Sequence, residues 1–314
     1  MVKHNVTDGI KRIVVIGSSN TDMVIRTKNL PRAGETVLGG KFYMNAGGKG
    51  ANQAVACARL GGSVTFVCKT GNDVFGHQAY QLFDEEGIDS SYVFSDSKNP
   101  SGVALILVDD NAENCIAVAS GSNNYLLPTD VDNALLAIDK AEIVLMQLEI
   151  PLETIVYAAQ KAKDGGKMVI LNPAPAPSEP LPLALLQNID LLTPNETEAE
   201  LISGIPVVDQ SSAIAAAELI CSKGVKRVII TMGSKGALLY EHGQSELIPS
   251  LHVKAVDTTA AGDCFNGALT IALSEGRPLR DAIVFANRAA AISVTRPGAQ
   301  QSMPYRQEVD TAVF

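Results

Sequence analysis

None of the five cysteines, Cys57, Cys68, Cys115, Cys221 and Cys264, stands in a C-x-x-C pair, and their number is odd. That excludes a disulfide framework and leaves the reduced thiols of a cytosolic protein. The four histidines, His4, His77, His242 and His252, lack metal-ligand spacing. No apolar run approaches the roughly 20 residues of a membrane span, and Met1 to Asp8 hold nothing resembling a signal peptide. Positive charge is also scarce. With 25 Lys+Arg against 34 Asp+Glu the net charge is −9, which excludes broad binding to nucleic acid or an anionic membrane but permits a local basic pocket. A cytoplasmic protein is the expectation, and without secretion the Asn5-Val-Thr and Asn195-Glu-Thr sequons mean nothing.

What the chain does contain is an ordinary globular composition over 314 residues, 46% hydrophobic and 19% charged, enough to bury a full core. Short apolar runs alternate with helical patterns such as Glu153 to Lys163 and Ser212 to Ile220. The runs are Ile13-Val-Val-Ile, Val64-Thr-Phe-Val, Ile143-Val-Leu-Met, Met168-Val-Ile-Leu, Leu191-Leu and Val228-Ile-Ile. Continuous runs mark parallel strands covered on both faces. The expectation is an α/β fold, a doubly wound and mainly parallel sheet flanked by helices. Asp22 to Ala46 and Ser101 to Ser120 break the rhythm as hairpin material, the second around the turn Asp109-Asp-Asn-Ala. They form either a small separate sheet over one end of the main one or its edge strands. A single domain over 1–314, with these strands inserted at 22–46 and 101–120, is expected.

Polar residues follow the strands: Asn20 and Asp22 the first, then Glu149, Asn172, Asn195, Thr231 and Gly233. Ligands of open α/β sheets bind beyond the carboxyl ends of the strands, so these positions converge on one edge. Asp257-Thr-Thr-Ala-Ala-Gly-Asp263 is the most telling loop. Its small residues let backbone N–H groups approach an anion at the start of the following helix. Asp263 puts a carboxylate beside that anion, which is repulsive unless it takes a proton from a group attacking a phosphate. The plainer alternative is a residue that complements the helix dipole.

Gly47-Gly-Lys-Gly-Ala-Asn52 opens a helix of small residues. It is no Walker A loop, since Lys49 is followed by Gly50, and no dinucleotide fingerprint. Its bare backbone and Asn52 suit the hydroxyls of a polyol, or its glycines serve tight helix packing. Asn195 and Glu198 have capping-box spacing, while Glu198 also suits a magnesium–phosphate held through water. Thr231-Met-Gly-Ser-Lys-Gly236 admits a nucleotide or simply makes a turn.

Gly17-Ser-Ser-Asn-Thr-Asp22, Gly47 to Asn52, Asn195 to Glu198, Asp257 to Gly267 and Val294-Thr-Arg-Pro-Gly-Ala-Gln300 occur in order along essentially the whole chain. In these motifs the chain resembles the ribokinase (PfkB) family of carbohydrate kinases. The resemblance implies a ribokinase-like fold whose β-sheet lid also forms a homodimer contact. It implies ATP-dependent phosphorylation of the 5-hydroxyl of ribose, with 2-deoxyribose or another sugar or nucleoside as the nearest alternative and a non-catalytic sugar-binding regulator as a remote one. Asp263 would be the general base, and the N–H groups of Ala260, Ala261 and Gly262 the anion hole. Sugar contacts would fall to Asn20, Asp22, Gly48, Lys49, Asn52, Glu149 and Asp263. Asn195, Thr231, Gly233, Ser234, Gly236, Gly262 and Asn287 would line the nucleotide site, with Glu198 organising Mg²⁺ through water. A monovalent cation, K⁺, would rest on Asp257 and Thr259, the carbonyls of Ser293, Arg296 and Gly298, and the Ser302 side chain. Cys264 stands where many relatives have Thr, which implies sensitivity to thiol reagents, and Pro297 would stiffen the cation loop.

Overall fold

The computed structural model describes residues 12–313 apart from Ala112 and Ser178. His4, the Asn5 sequon, the segment Met1 to Asp8 and the last residue of the Asp109 turn lie outside the described residues. In chain order the elements are β1 (Arg12–Ile16), β2 (Asn20–Arg26), β3 (Lys41–Gly47), α1 (Lys49–Arg59), β4 (Ser63–Gly71), α2 (Val74–Glu85), β5 (Asp89–Asp96), β6 (Gly102–Val108) and β7 (Asn114–Ala119). There follow α3 (Pro128–Asn133), α4 (Leu135–Lys140), β8 (Ile143–Met146), α5 (Leu152–Asp164), β9 (Met168–Leu171), α6 (Leu183–Leu186), β10 (Leu191–Leu192), α7 (Glu196–Ser203) and α8 (Gln210–Ser222). The chain then runs through β11 (Arg227–Thr231), β12 (Ala237–Glu241), β13 (Gln244–Ile248), α9 (Ala261–Ser274), α10 (Leu279–Ser293) and α11 (Arg306–Thr311).

All six apolar runs become strands of one nine-stranded sheet, ordered β13-β12-β11-β10-β9-β8-β1-β4-β5. Pairing is parallel from β11 to β5, and the hairpin β12–β13 closes the other edge antiparallel. Alternation along β1 feeds both faces: Ile13 and Val15 join a core with α1, α9 and α10, whereas Val14 and Ile16 join one with α3 to α8. Two-sided burial is why these strands read as unbroken apolar runs.

The two irregular segments form a separate four-stranded sheet, β3-β2-β6-β7, and are not edge strands of the large one. β2–β3 and β6–β7 are antiparallel, as hairpins require, but β2 and β6 join in parallel. In the large sheet β1 lies between β4 and β8, so the connections leaving it diverge to opposite sides. A crevice opens where strand order reverses in this way, and the ends of β1 and β8 meet there.

Helices α1 and α9 lie together on one face. Gly267 on α9 makes the approach possible: a Cβ there would stand 2.5 Å from the Ala56 Cβ and 3.1 Å from the Gln53 carbonyl oxygen. Gly267→Ala should therefore wedge the helices apart and destabilise the protein by about 1–3 kcal/mol. The midpoint of urea unfolding should fall at an unchanged slope; an unchanged midpoint would show that the seam yields freely.

Candidate functional site

At the β1/β8 divergence the side chains hold one another. Ser18 Oγ donates to Glu149 Oε2 at 2.5 Å, and the Lys49 N–H donates to the same oxygen at 2.9 Å. Glu149 thus sits at the start of α1, where a carboxylate is favoured by the helix dipole. Gly47, Gly48 and Gly50 are required by close packing: a Cβ on Gly47 would meet Asp22 Oδ2 at 2.3 Å, and one on Gly50 would meet the Ser18 nitrogen at 2.5 Å. Gly48 also has φ +88°, a region that side chains disfavour. Packing is therefore part of the reason for this glycine run.

Asn20 and Asp22 lie on β2 facing these glycines, in register with Gly47 and Asn45. Asn20 Oδ1 accepts from Asn123 Nδ2 at 2.8 Å, and Asn123 Oδ1 accepts from the Ser19 N–H at 2.9 Å. This turns the Asn20 amide so that its N–H groups face away from Asn123. Asn123 was not signalled by the sequence; it lies after β7 in a turn with no motif of its own.

Asp263 lies in the first turn of α9 and is buried, 6% exposed. Asn52 Nδ2 donates to its Oδ2 at 2.9 Å and Gln53 Nε2 to its Oδ1 at 2.9 Å. Both donors come from α1, across the seam that Gly267 opens. The N-cap Ala260 holds a left-handed conformation, φ +57°, strained for a residue with a Cβ. A Cβ on Gly262 would meet nothing within 4 Å, so the protein's own packing does not explain that glycine. The Ala261 N–H, expected to face an anion, donates to the Thr258 carbonyl at 3.2 Å.

Asn195, Thr231, Gly233, Ser234, Gly236, Gly262 and Asn287 all line one cavity of about 580 Å³. Its apolar lining, including Val253, Phe265, Ala290, Ala291 and Val294, was missed by sequence reasoning, because alanines on α10 read as ordinary helix packing. Asn287 Nδ2 donates to the Ile248 and Pro249 carbonyls, fixing the wall of this cavity. Glu198 is buried and completes a reciprocal capping box. It accepts the Asn195 N–H at 2.8 Å, and Asn195 Oδ1 accepts the Glu198 N–H at 2.8 Å.

The residues expected at a cation are brought together in part. Asp257 Oδ1 accepts the Thr259 N–H and Oδ2 the Gly298 N–H, both at 2.9 Å, which ties the 257–259 turn to the 293–298 loop. The Ser293 carbonyl already accepts the Arg296 N–H at 3.0 Å, and the Arg296 guanidinium pairs with Glu308. The Ser302 hydroxyl donates to the Ala299 carbonyl at 2.7 Å. Among the described residues no cluster of three His, Cys, Asp or Glu could hold a metal ion.

Four carboxylates, those of Asp22, Glu149, Glu198 and Asp263, act on one ammonium, Lys49. Burial pushes the Lys49 pKa down, but these carboxylates outweigh it and the ammonium is held above its ordinary value. Burial raises Asp263, opposed by Lys49 and by the bonds from Gln53 and Asn52. Burial also raises Glu198. Asp22 is raised to about 6 by burial and by the nearby Glu149 and Asp263. In contrast, Asp257 lies below the usual range despite burial, because Gly298 and Thr259 donate to it. The Cys264 thiol is fully buried and pushed up to about 12 by that burial. The expectation of a reagent-sensitive thiol there is overturned, since both access and thiolate are lacking.

The sequence from 10 to 306 matches the pfkB family carbohydrate kinase. The chain is 45% identical over 298 residues to the ribokinase of Haemophilus influenzae, spanning 95% of this chain and 97% of the relative. It is 39% identical to the deoxyribokinase of Salmonella typhi, over 93% and 95% of the two chains. In structure it resembles Arabidopsis thaliana ribokinase complexed with ribose and ATP, with a TM-score of 0.89, 34% identity, and 95% and 97% of the two chains covered.

The raised Asp22 pKa has a stability consequence. Its folded value of about 6 lies above the ordinary 3.8, so the folded state binds the proton more tightly, and stability falls as pH rises through that window. Asp22→Asn removes this penalty. At about pH 8 the variant's Tm should exceed the wild type's by a few degrees, on the order of 2–4 °C, and the gap should close near about pH 4. A gap constant with pH would contradict the assignment.

Proposed function

The chain belongs to the pfkB family of carbohydrate kinases, and on that premise we propose that it transfers the γ-phosphoryl group of ATP to the 5-hydroxyl of D-ribose, giving ribose 5-phosphate and ADP. One observation carries this most: the buried carboxylate of Asp263 adjoins Gly262, which lines the 580 Å³ cavity, while its oxygens accept from Asn52 and Gln53 on α1, the helix that opens at Gly47 and Gly48 against Asp22 and Asn20. A sugar on the α1 side and a triphosphate in the cavity then meet at the first turn of α9. The sugar oxygen bonds to the γ-phosphorus as the bond from phosphorus to ADP breaks, and the hydroxyl proton passes to Asp263. The transition state of such transfers is loose, so the base removes its proton late and an ordinary carboxylate suffices. Orientation and charge stabilisation supply most of the rate.

Asp22 accepts hydrogen bonds from neighbouring sugar hydroxyls, and Asn20 donates. Gly48, Lys49, Asn52 and Glu149 complete the sugar contacts, with one N–H of the Asn52 amide already given to Asp263 and one lone pair of its oxygen to Gln300. Asn195, Thr231, Gly233, Ser234, Gly236, Gly262 and Asn287 hold the nucleotide. The Ala260 and Gly262 N–H groups form the anion hole, and Ala261 joins if its bond to Thr258 yields. Among the described residues no ready-made cluster of side chains holds a metal, so a divalent cation would arrive with the triphosphate. Glu198 would hold Mg²⁺ through water, and the ion would neutralise phosphate charge. K⁺ would rest against Asp257, Thr259, the Ser293, Arg296 and Gly298 carbonyls and Ser302, fixing the 257–263 loop without touching substrate.

The small sheet serves as the lid of this single domain and excludes water on closing. It exposes Phe42, Met44 and Leu105 on one face and Ile116 and Val118 on the other, apolar area that suits a homodimer contact. Among the described residues no helix is long and apolar enough to cross a membrane, in keeping with a cytoplasmic enzyme. The likeness to a deoxyribokinase keeps 2-deoxyribose as the second reading.

A kinase assay over pentoses, hexoses and nucleosides, with and without K⁺, tests this. Ribose should have the highest kcat/KM, since a site that bonds the 2-hydroxyl rejects the deoxy sugar strongly; preference for 2-deoxyribose would overturn the substrate. K⁺ should raise the rate in Tris buffer. Asp263→Asn should lower kcat by roughly 10²–10⁴-fold while ribose and ATP still bind, and a wild-type rate would remove the base from the mechanism. Sedimentation should give a dimer, and Leu105→Asp a monomer; a monomeric wild type would end the lid-contact proposal.

A further inference from the structure

The proposed base is held by a network of buried amides. Gln53 Nε2, besides donating to Asp263 Oδ1, donates to Asn172 Oδ1 at 3.0 Å, and its own oxygen accepts from Gln147 Nε2 at 2.7 Å. On the other side Asn52 donates to Asp263 Oδ2, and its oxygen accepts from Gln300 Nε2 at 3.1 Å. Each carboxylate oxygen is thus the end of a relay of two primary amides. The relays draw on α1, the segment after β8, and the turn after Gly298. All four amides are buried: Gln53 and Gln147 are 0% exposed, Gln300 4% and Asn52 6%.

The relays have a direction. A carboxylate only accepts, so it forces Gln53 and Asn52 to present N–H groups and their oxygens to face outward. Gln147 and Gln300 must then donate inward as well. The unavoidable result is an acceptor left over at each far end. Among the described residues, the buried side-chain atoms without a protein partner are the Oε1 atoms of Gln147 and Gln300. A buried unpaired acceptor costs about 1–3 kcal/mol, and such a group asks for an explanation beyond packing. Room for one of them is built in: a Cβ on Gly17 would lie 2.1 Å from Gln147 Oε1. The other end is anchored, since the Arg59 guanidinium donates to the Gln300 and Met303 carbonyls. Asn52 and Arg59, seven residues apart on α1, share a face and grip the same turn.

We propose that Gln53, Gln147 and Gln300 are positioning residues for Asp263: the two relays keep its carboxylate ionised in a buried setting and aim its free lone pairs at the acceptor hydroxyl. Outer bonds polarise the inner ones, so each relay donates more strongly than a lone amide. The proposal rests on Asp263 being the base. Other charged groups facing it are Lys49 on α1, Glu149 after β8, Asp22 on β2 and Glu198 on α7, and none of them is altered in the test.

The test compares wild type, Asp263→Asn, Gln53→Met, Gln147→Met and Gln300→Met, measuring kcat and both KM values across pH, each substrate varied with the other saturating. Hydrogen bonds to the charged form lower a carboxyl pKa, so losing one should move the acid limb of kcat upward, by about one pH unit for Gln53→Met. Its kcat should fall roughly 10–100-fold, with the KM for ATP within about threefold. Gln147→Met and Gln300→Met should shift the limb the same way by less. A kcat that falls without moving the limb would reduce the relays to structural support and overturn the proposal, as would wild-type kinetics. If Gln53→Met does not fold, Gln147→Met decides by the same criteria, because it leaves both bonds to Asp263 in place. If Asp263→Asn retains the wild-type rate, the base assignment fails with the relays; if only the glutamine variants behave as wild type, the relays alone fail.

Discussion

Taking one carboxylate out of water is the constraint on which the site depends. An isolated charge in a protein interior is expensive unless it is paired or hydrogen-bonded, and Asp263 is almost wholly enclosed. Its compensation comes from α1, whose first two turns supply Asn52 and Gln53. That requires α1 and α9 to touch almost backbone to backbone, which the missing side chain of Gly267 allows. It also requires α1 to begin at once after β3, pressed against the end of β1, which Gly47 and Gly50 allow. Packing, helix placement and the chemistry of the carboxylate are one requirement seen at three scales.

The surrounding charge follows a similar logic. A single ammonium serves several carboxylates, and three of them, Asp22, Glu198 and Asp263, are pushed toward their neutral forms by burial. An assembly that crowds like charges is less stable than it need be, and such strain is typical of sites prepared for a ligand. Hydroxyl donors for Asp22 and a metal-bearing phosphate near Glu198 would relieve it.

Much of the architecture could be read from the chain. The six apolar runs became the strands expected of them because burial on both faces leaves no polar alternation to confuse the pattern. The two irregular segments were legible as hairpin material, but their parallel β2–β6 junction was not, because pairing across many residues leaves no local trace. Among site residues, those in glycine-rich or acidic motifs were visible because they depart from ordinary composition. Asn123 and Gln147 were not: a lone amide after a strand looks like any surface amide until its partners are known. Gln300 stood at the end of a motif, but nothing there signalled its bond to Asn52. Capping and ligand organisation also share a signature, so Asn195 and Glu198 could be seen but not told apart in role. Cys264 misled for a different reason, since sequence says nothing of enclosure.

The turn from Gly298 to Ser302 has a consequence for how such a chain can vary. Gly298 donates to Asp257, Gln300 reaches Asn52 on α1, Gln301 donates to Asn45 on the small sheet, and Ser302 closes the turn on Ala299. Neighbouring residues therefore answer to three distant parts of the molecule in fixed order. Substituting Gln300, Gln301 or Ser302 disturbs a single side-chain contact, whereas Gly298, at φ +88°, takes no side chain without strain. Adding or deleting one residue would shift every contact by a position, so that side chains bound for the α9 loop, the helix and the sheet would all miss together. A side chain here can be lost at the cost of one contact, whereas a change of length would lose them all.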